Sequence, residues 1–141
     1  MNVDYVCDMK NFLFAASGLL LSLFMPLPAL AQTPLPAPAV IVAPVGNRVS
    51  IAMMNETGAP IDYEVIGDTQ YRSLGGTSEI LLQNLSVPTT LTFRRQDGGL
   101  LQASLQTTAA GVLELRLSAT TDFSRDRTAL TIDRAGGVFI N

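Results

Sequence analysis

Val112-Leu113-Glu114-Leu115-Arg116-Leu117-Ser118 decides the fold class of this chain, because three leucines alternate strictly with Glu, Arg and Ser. Successive side chains of an extended strand point to opposite faces, so the segment buries Leu113, Leu115 and Leu117 and wets Glu114, Arg116 and Ser118. A helix of the same residues would scatter the leucines around its circumference. The same period of two runs outward in both directions. Thr90-Leu91-Thr92-Phe93-Arg94 alternates, as do Leu101, Ala103 and Leu105 against Gln102, Ser104 and Gln106. Earlier, Val49, Ile51 and Met53 share one face, and so do Ile61, Tyr63 and Val65. Shorter apolar runs at Ile80–Leu82, Ala129–Ile132 and Val138–Ile140 bring the expectation to about eight strands.

The breaks between these runs carry turn chemistry. Asp97-Gly98-Gly99 tolerates positive φ, which predicts a hairpin joining the strands around Phe93 and Leu101. Asn55 to Pro60, Gly75-Gly76, Ala110-Gly111 and Gly136-Gly137 end other runs. One helical turn is expected near Asp122–Arg127, capped by Asp122 or Ser124. No segment after residue 45 has helical periodicity. The fold class is therefore all-β. The expected form is an immunoglobulin-like or fibronectin-like β-sandwich of about seven to eight short antiparallel strands over residues 45–141. The strand beginning at Arg48 and running to Met54 is one candidate for a free edge, strand order itself not being legible in the sequence.

Upstream, the composition changes twice. Lys10 precedes an apolar run from Phe12 to Met25, and Ala29-Leu30-Ala31 follows. A cation, a short apolar stretch and an Ala-x-Ala site form a secretory signal, expected to be cut after Ala31. The run is shorter than the roughly 20 residues that span a bilayer, so no stable membrane span is expected after cleavage. Asp4 and Asp8 are out of place in a signal, whereas Met9-Lys10-Asn11-Phe12 is an ordinary beginning. Met9 is therefore the expected true start, and residues 1–8 a mis-assigned one. Residues 32–44 hold Pro34, Pro36, Pro38 and Pro44 and read as a semi-rigid extended linker. The implied location is extracytoplasmic, either periplasmic or secreted.

The residue inventory removes whole classes of function. The chain has no His, a single cysteine at Cys7 and a net charge of −3. Lys10 is the only lysine, so the eight cations beyond the signal are all arginines. Triad hydrolysis lacks its imidazole, a Ser-Lys dyad lacks its amine, and a Cys/His zinc site lacks its ligands. Nothing in the charge balance suits nucleic acid. No catalytic, cofactor-binding or metal-binding residues are accordingly expected. Asp62 and Glu64 share a strand face and leave a carboxylate-only hydrolase as the last-ranked reading. Asp122, Ser124 and Asp126 alternate like the start of a calcium loop, but the sharp-turn Gly and terminal acid are missing.

What remains are surface contacts. Tyr71-Arg72 sits in a Gly-flanked loop, and Arg94-Arg95 lies beside the Asp97 turn. These four are the candidate ligand contacts, the arginines for a phosphate or acidic glycan and Tyr71 for stacking. Their structural alternatives are loop packing for Tyr71 and a charged strand edge that discourages aggregation for the arginines. Phe123 and Phe139 are further surface aromatics, with Tyr63 and Phe93 facing inward. Asn55-Glu56-Thr57 and Asn84-Leu85-Ser86 match the N-glycosylation pattern. The expectation is a non-enzymatic exported module binding an envelope or extracellular protein, or serving structure there. The alternative is a small-ligand or carbohydrate-binding module, with a pocket between the sheet ends around Tyr71 and Asp122 to Arg127.

Overall fold

The computed structural model describes residues 35–141. The expected signal at 1–31, the Met9 start and Cys7 lie outside the described residues. Those residues are all-β, forming two sheets of six and four strands.

The four-stranded sheet is built around β8 (Val112–Thr120) and β2 (Arg48–Asn55), with β5 (Ser78–Ser86) and β7 (Leu100–Ala109) outside them in the order β5-β2-β8-β7. Leu113, Leu115 and Leu117 are fully buried, as their alternation requires. Val49, Ile51 and Met53 lie beside them, because Ile51 registers with Leu113 and Met53 with Leu115.

The six-stranded sheet has the order β1-β10-β9-β6-β3-β4. Its strands are β1 (Val40–Ile41), β3 (Ile61–Val65), β4 (Arg72–Leu74), β6 (Thr89–Arg95), β9 (Ala129–Ile132) and β10 (Gly137–Ile140). Ile61, Tyr63, Val65, Leu91, Phe93, Leu130, Ile132 and Val138 are its inward residues, and they join the leucines of the other sheet in one hydrophobic core. Alternation works here because one face of each sheet meets the core and the other meets water.

Four expectations are corrected. First, the strands are ten, and one pair is parallel: β2 runs alongside β8 in the same direction. These two strands are far apart in sequence, so no tight turn forces them to be antiparallel. Second, β2 is no edge. It is paired on both sides, with β5 and with β8.

Third, Asp97-Gly98-Gly99 makes no hairpin. β6 pairs with β3 and β9, whereas β7 pairs with β8, so the turn carries the chain from one sheet to the other. Hairpins form instead at β9–β10 and at β7–β8, the latter closed by Ala110-Gly111 with Gly111 at φ +72°.

Fourth, the domain begins before Val45. Ala39 donates its N–H to Val138 and Val42 donates to Gly136, and the Val42 side chain is fully buried. A Cβ on Gly136 would stand 1.9 Å from the Val42 carbonyl oxygen, so only glycine lets β1 approach. The end of the proline-rich stretch is thus an outer strand of the six-stranded sheet. Its apolar run is too short for alternation to show between prolines.

Candidate functional site

The sheet-to-sheet turn after β6 gathers most of the arginines singled out in the sequence. Alternation along β6 buries Leu91 and Phe93 and turns Arg94 to the outer face of the six-stranded sheet. Asp62 of β3 registers opposite Arg94 and points the same way. Their charged groups meet at 3.5 Å, and the other Asp62 oxygen accepts from the Gln96 amide at 2.7 Å. Gln96 also donates to Ser73, fixing the turn against β4. The Arg94 guanidinium lies 5.7 Å from the centre of the Tyr71 ring. That distance is within cation–π range. Tyr71 itself is 64% exposed.

Arg95 is half-buried and lies across the turn. A Cβ on Gly99 would fall 2.4 Å from Arg95 Nη1, so a side chain there would displace the guanidinium. Asp97 binds Arg95 on one side and accepts the Gly99 N–H at 3.0 Å on the other. The Gly99 N–H, followed by the Arg95 guanidinium, holds the Asp97 carboxyl below its ordinary pKa. Arg95 Nε is buried and has no hydrogen-bond partner among the described residues.

The facing wall comes from Asp126, Arg127 and Thr128, which follow η1 (Phe123–Arg125), a single 3-10 turn. Asp122 caps this turn by accepting from the Ser124 N–H and hydroxyl, which lowers its pKa. The expected capping role thus falls to Asp122. Asp126 Oδ1 accepts the Leu101 N–H at 2.9 Å, and Arg127 donates to the carbonyls of Ser124 and Asp126. Between the walls lies a cleft of about 490 Å³, bordered by Asp62, Arg94, Arg95, Asp126 and Arg127. A shallower hollow of about 290 Å³, bordered by Tyr71, adjoins it and shares Asp62, Arg94 and Thr128.

Of the four expected contacts, Tyr71, Arg94 and Arg95 come together and Arg72 does not. Arg72 registers with Tyr63, an inward residue, and so belongs to the opposite face from Arg94. The charged-edge alternative for Arg94 and Arg95 also fails, since β6 lies inside its sheet. Asp126 and Arg127, which the ligand-binding alternative groups with Tyr71, do border the cleft, and the crossing of β6 to β7 brings Arg94 and Arg95 opposite them.

A second surface feature is the outer edge of β7. Leu101 points its N–H at Asp126 and its C=O at the Arg127 N–H, both away from β8. Backbone direction alternates along a strand, so Ala103, Leu105 and Thr107 present their N–H and C=O groups to the same open side. Those backbone groups have no protein partner among the described residues.

The two sequons differ. Asn55 is 2% exposed, and its Nδ2 donates to the carbonyls of Ala59, Leu74 and Gly75 while Oδ1 accepts from Thr57. A glycan on Nδ2 is incompatible with that arrangement. Asn84 is exposed.

Among the described residues the buried polar side chains are Asn55, Thr57 and Thr89, none of them ionisable. No group of three or more acidic, His or Cys side chains clusters there as metal ligands. No helix of the described residues is long and apolar enough to cross a membrane. Compared with known proteins, the chain matches no protein family, no curated protein and no solved structure.

Proposed function

We propose that this chain is an exported, non-catalytic β-domain that binds an envelope or extracellular protein through the open edge of β7. The single observation that carries the reading is the row Ala103, Leu105 and Thr107, whose backbone donors and acceptors face away from β8. An extended segment of a partner satisfies those groups by adding a fifth strand to the sheet. Strand edges exposed in this way are usually guarded by charge, proline or a bulge along their length. β7 has no charged residue and no proline, and its bulge comes only beyond Thr107.

The remaining parts of the proposal rest on sequence. The signal at 1–31 places the domain outside the cytoplasm, and the part of 32–44 before β1 serves as its tether. Absence of His, Lys and Cys beyond the signal supports a non-catalytic role. A two-layered β architecture supports likeness to immunoglobulin and fibronectin modules at the level of layers. Strand order does not extend it, since an immunoglobulin sheet of four is ordered A-B-E-D.

Amide hydrogen exchange tests the edge directly. Alone, the protein should exchange quickly at Ala103, Leu105 and Thr107 and slowly at Gln102, Ser104 and Gln106. A partner isolated from envelope extract should protect the first three, and Ala103→Pro should abolish its binding while leaving the fold intact. A partner that binds Ala103→Pro as well as the parent, or protects other residues, would overturn the reading. Protection that rises with protein concentration alone would mean that a second copy fills the edge.

A further inference from the structure

We propose that the cleft between the β6–β7 turn and the segment after η1 binds a monoanionic saccharide, a sugar ring carrying one carboxylate. The inference is independent of the β7 edge and rests on three features of the cleft.

The first is an imbalance of donors over acceptors. Asp62 is engaged by Arg94 and Gln96, and Asp126 Oδ1 by the Leu101 N–H. Arg127 is left with carbonyl partners only, at 3.0 and 2.7 Å, and no carboxylate within salt-bridge distance among the described residues. A guanidinium fork beside open space is suited to a planar carboxylate, which it meets with two parallel hydrogen bonds.

Charge is the second. Arg94 is paired with Asp62 and Arg95 with Asp97, so Arg127 is the bordering arginine left without a carboxylate partner among the described residues. A single carboxylate satisfies that one cation. A phosphate dianion overshoots it and meets Asp62 and Asp126 as like charges.

The third is size and surface. A cleft of about 490 Å³ falls within the range of small-molecule sites. The adjoining hollow presents the exposed Tyr71 ring, a flat apolar surface on which the C–H face of a sugar packs. Asp62, Gln96 and Asp126 border the cleft with the polarity that hydroxyl groups need.

The test is a nuclear magnetic resonance titration of protein expressed from the full sequence, with sodium glucuronate, glucose and inorganic phosphate as separate probes. Glucuronate should give saturable shifts at Tyr71, Gly98, Gly99 and Arg127, with glucose binding at least about tenfold more weakly, the equivalent of one lost charged contact. Arg127→Gln and Arg94→Gln should each weaken glucuronate by about tenfold, and Tyr71→Ala by about threefold. Arg94 is well exposed, so its variant keeps the fold even if loss of the Arg127 carbonyl contacts does not. No saturable shift with glucuronate, or equal binding of glucose, would overturn the proposal. So would tighter binding of phosphate that is indifferent to Tyr71→Ala, which would mark a plain anion site.

Discussion

The two outer strands of the four-stranded sheet, β5 and β7, meet the same physical problem with different sequences. β5 is interrupted: between Leu82 and Leu85 it carries an extra residue opposite β2. Asn84 takes φ +58° there, and Arg48 Nη1 binds its carbonyl oxygen at 2.6 Å. An exposed Glu79 adds charge further along. β7 runs regularly from Leu100 to Thr107 with no charged residue. A bulged, partly charged edge resists addition of a strand, and a regular neutral one accepts it. The comparison teaches that openness at β7 is local to that strand, because its companion edge in the same sheet is closed off.

The largest test loosens β2, the strand on which the β5 edge pairs directly and from which β7 is separated by β8. Asn55→Ala removes the amide that ties the end of β2 to the carbonyls of Ala59, Leu74 and Gly75. Leaving buried acceptors unpaired should cost about 3 kcal/mol in urea unfolding. Hydrogen exchange should loosen β5 more than β7, since the lost contacts lie at the β4–β5 connection. Equal loosening of both would break the contrast between them.

A paired substitution along β7 comes next. Ser104 faces Arg116 through the ladder, so Ser104→Pro should lose about 2 kcal/mol, the order of an unsatisfied ladder bond. Ala103→Pro removes an N–H that bonds nothing and should lose less than about 1 kcal/mol. If the two cost the same, the assignment of the open side is wrong.

On β5, the left-handed residue is the target. Asn84→Ala should cost about 1 kcal/mol because Cβ sterics disfavour that backbone region, while Asn84→Gly should be nearly neutral. A neutral alanine variant would mean that the bulge shifts easily and β5 is as adaptable as β7.

The smallest effect is acid sensitivity at the turn leading into β7. The folded-state pKa of Asp97 is depressed, so its contribution is present above the unfolded value and is lost as pH falls. Stability should therefore decline below about pH 4, the ordinary aspartate range. Asp97→Asn should flatten part of that decline. Asp122, depressed by Ser124, accounts for a further part.

How much of this was legible depended on the regularity of each strand. β2, β3, β6, β7 and β8 alternate over five residues or more, and their inward residues were read correctly from the sequence. β5 was read only at Ile80–Leu82, because its extra residue shifts the next buried side chain to Leu85. β1 and β4 have two and three residues, too few for any period. Which strands pair depends on contacts distant in sequence, so the parallel β2–β8 pair and the free edge lay beyond the pattern. At the cleft, Tyr71 and Arg94 were readable as exposed groups near turns. The segment to Arg127 was readable as a pocket wall beside Tyr71, but its placement opposite Arg94 and Arg95 was not, because that is set by where the chain changes sheets.

The inward-facing amide of Asn55 bears on how the protein can be manufactured. In a eukaryotic secretory host, oligosaccharide is transferred to nascent chains, which at that stage expose Asn55-Glu56-Thr57 as any other acceptor. A sugar attached there would bar the side chain from its interior position before the strands assemble. Such a host should yield secreted material of low recovery, restored by Thr57→Ser only where the transferase recognises serine poorly. A bacterial host lacking the transferase avoids the trap altogether.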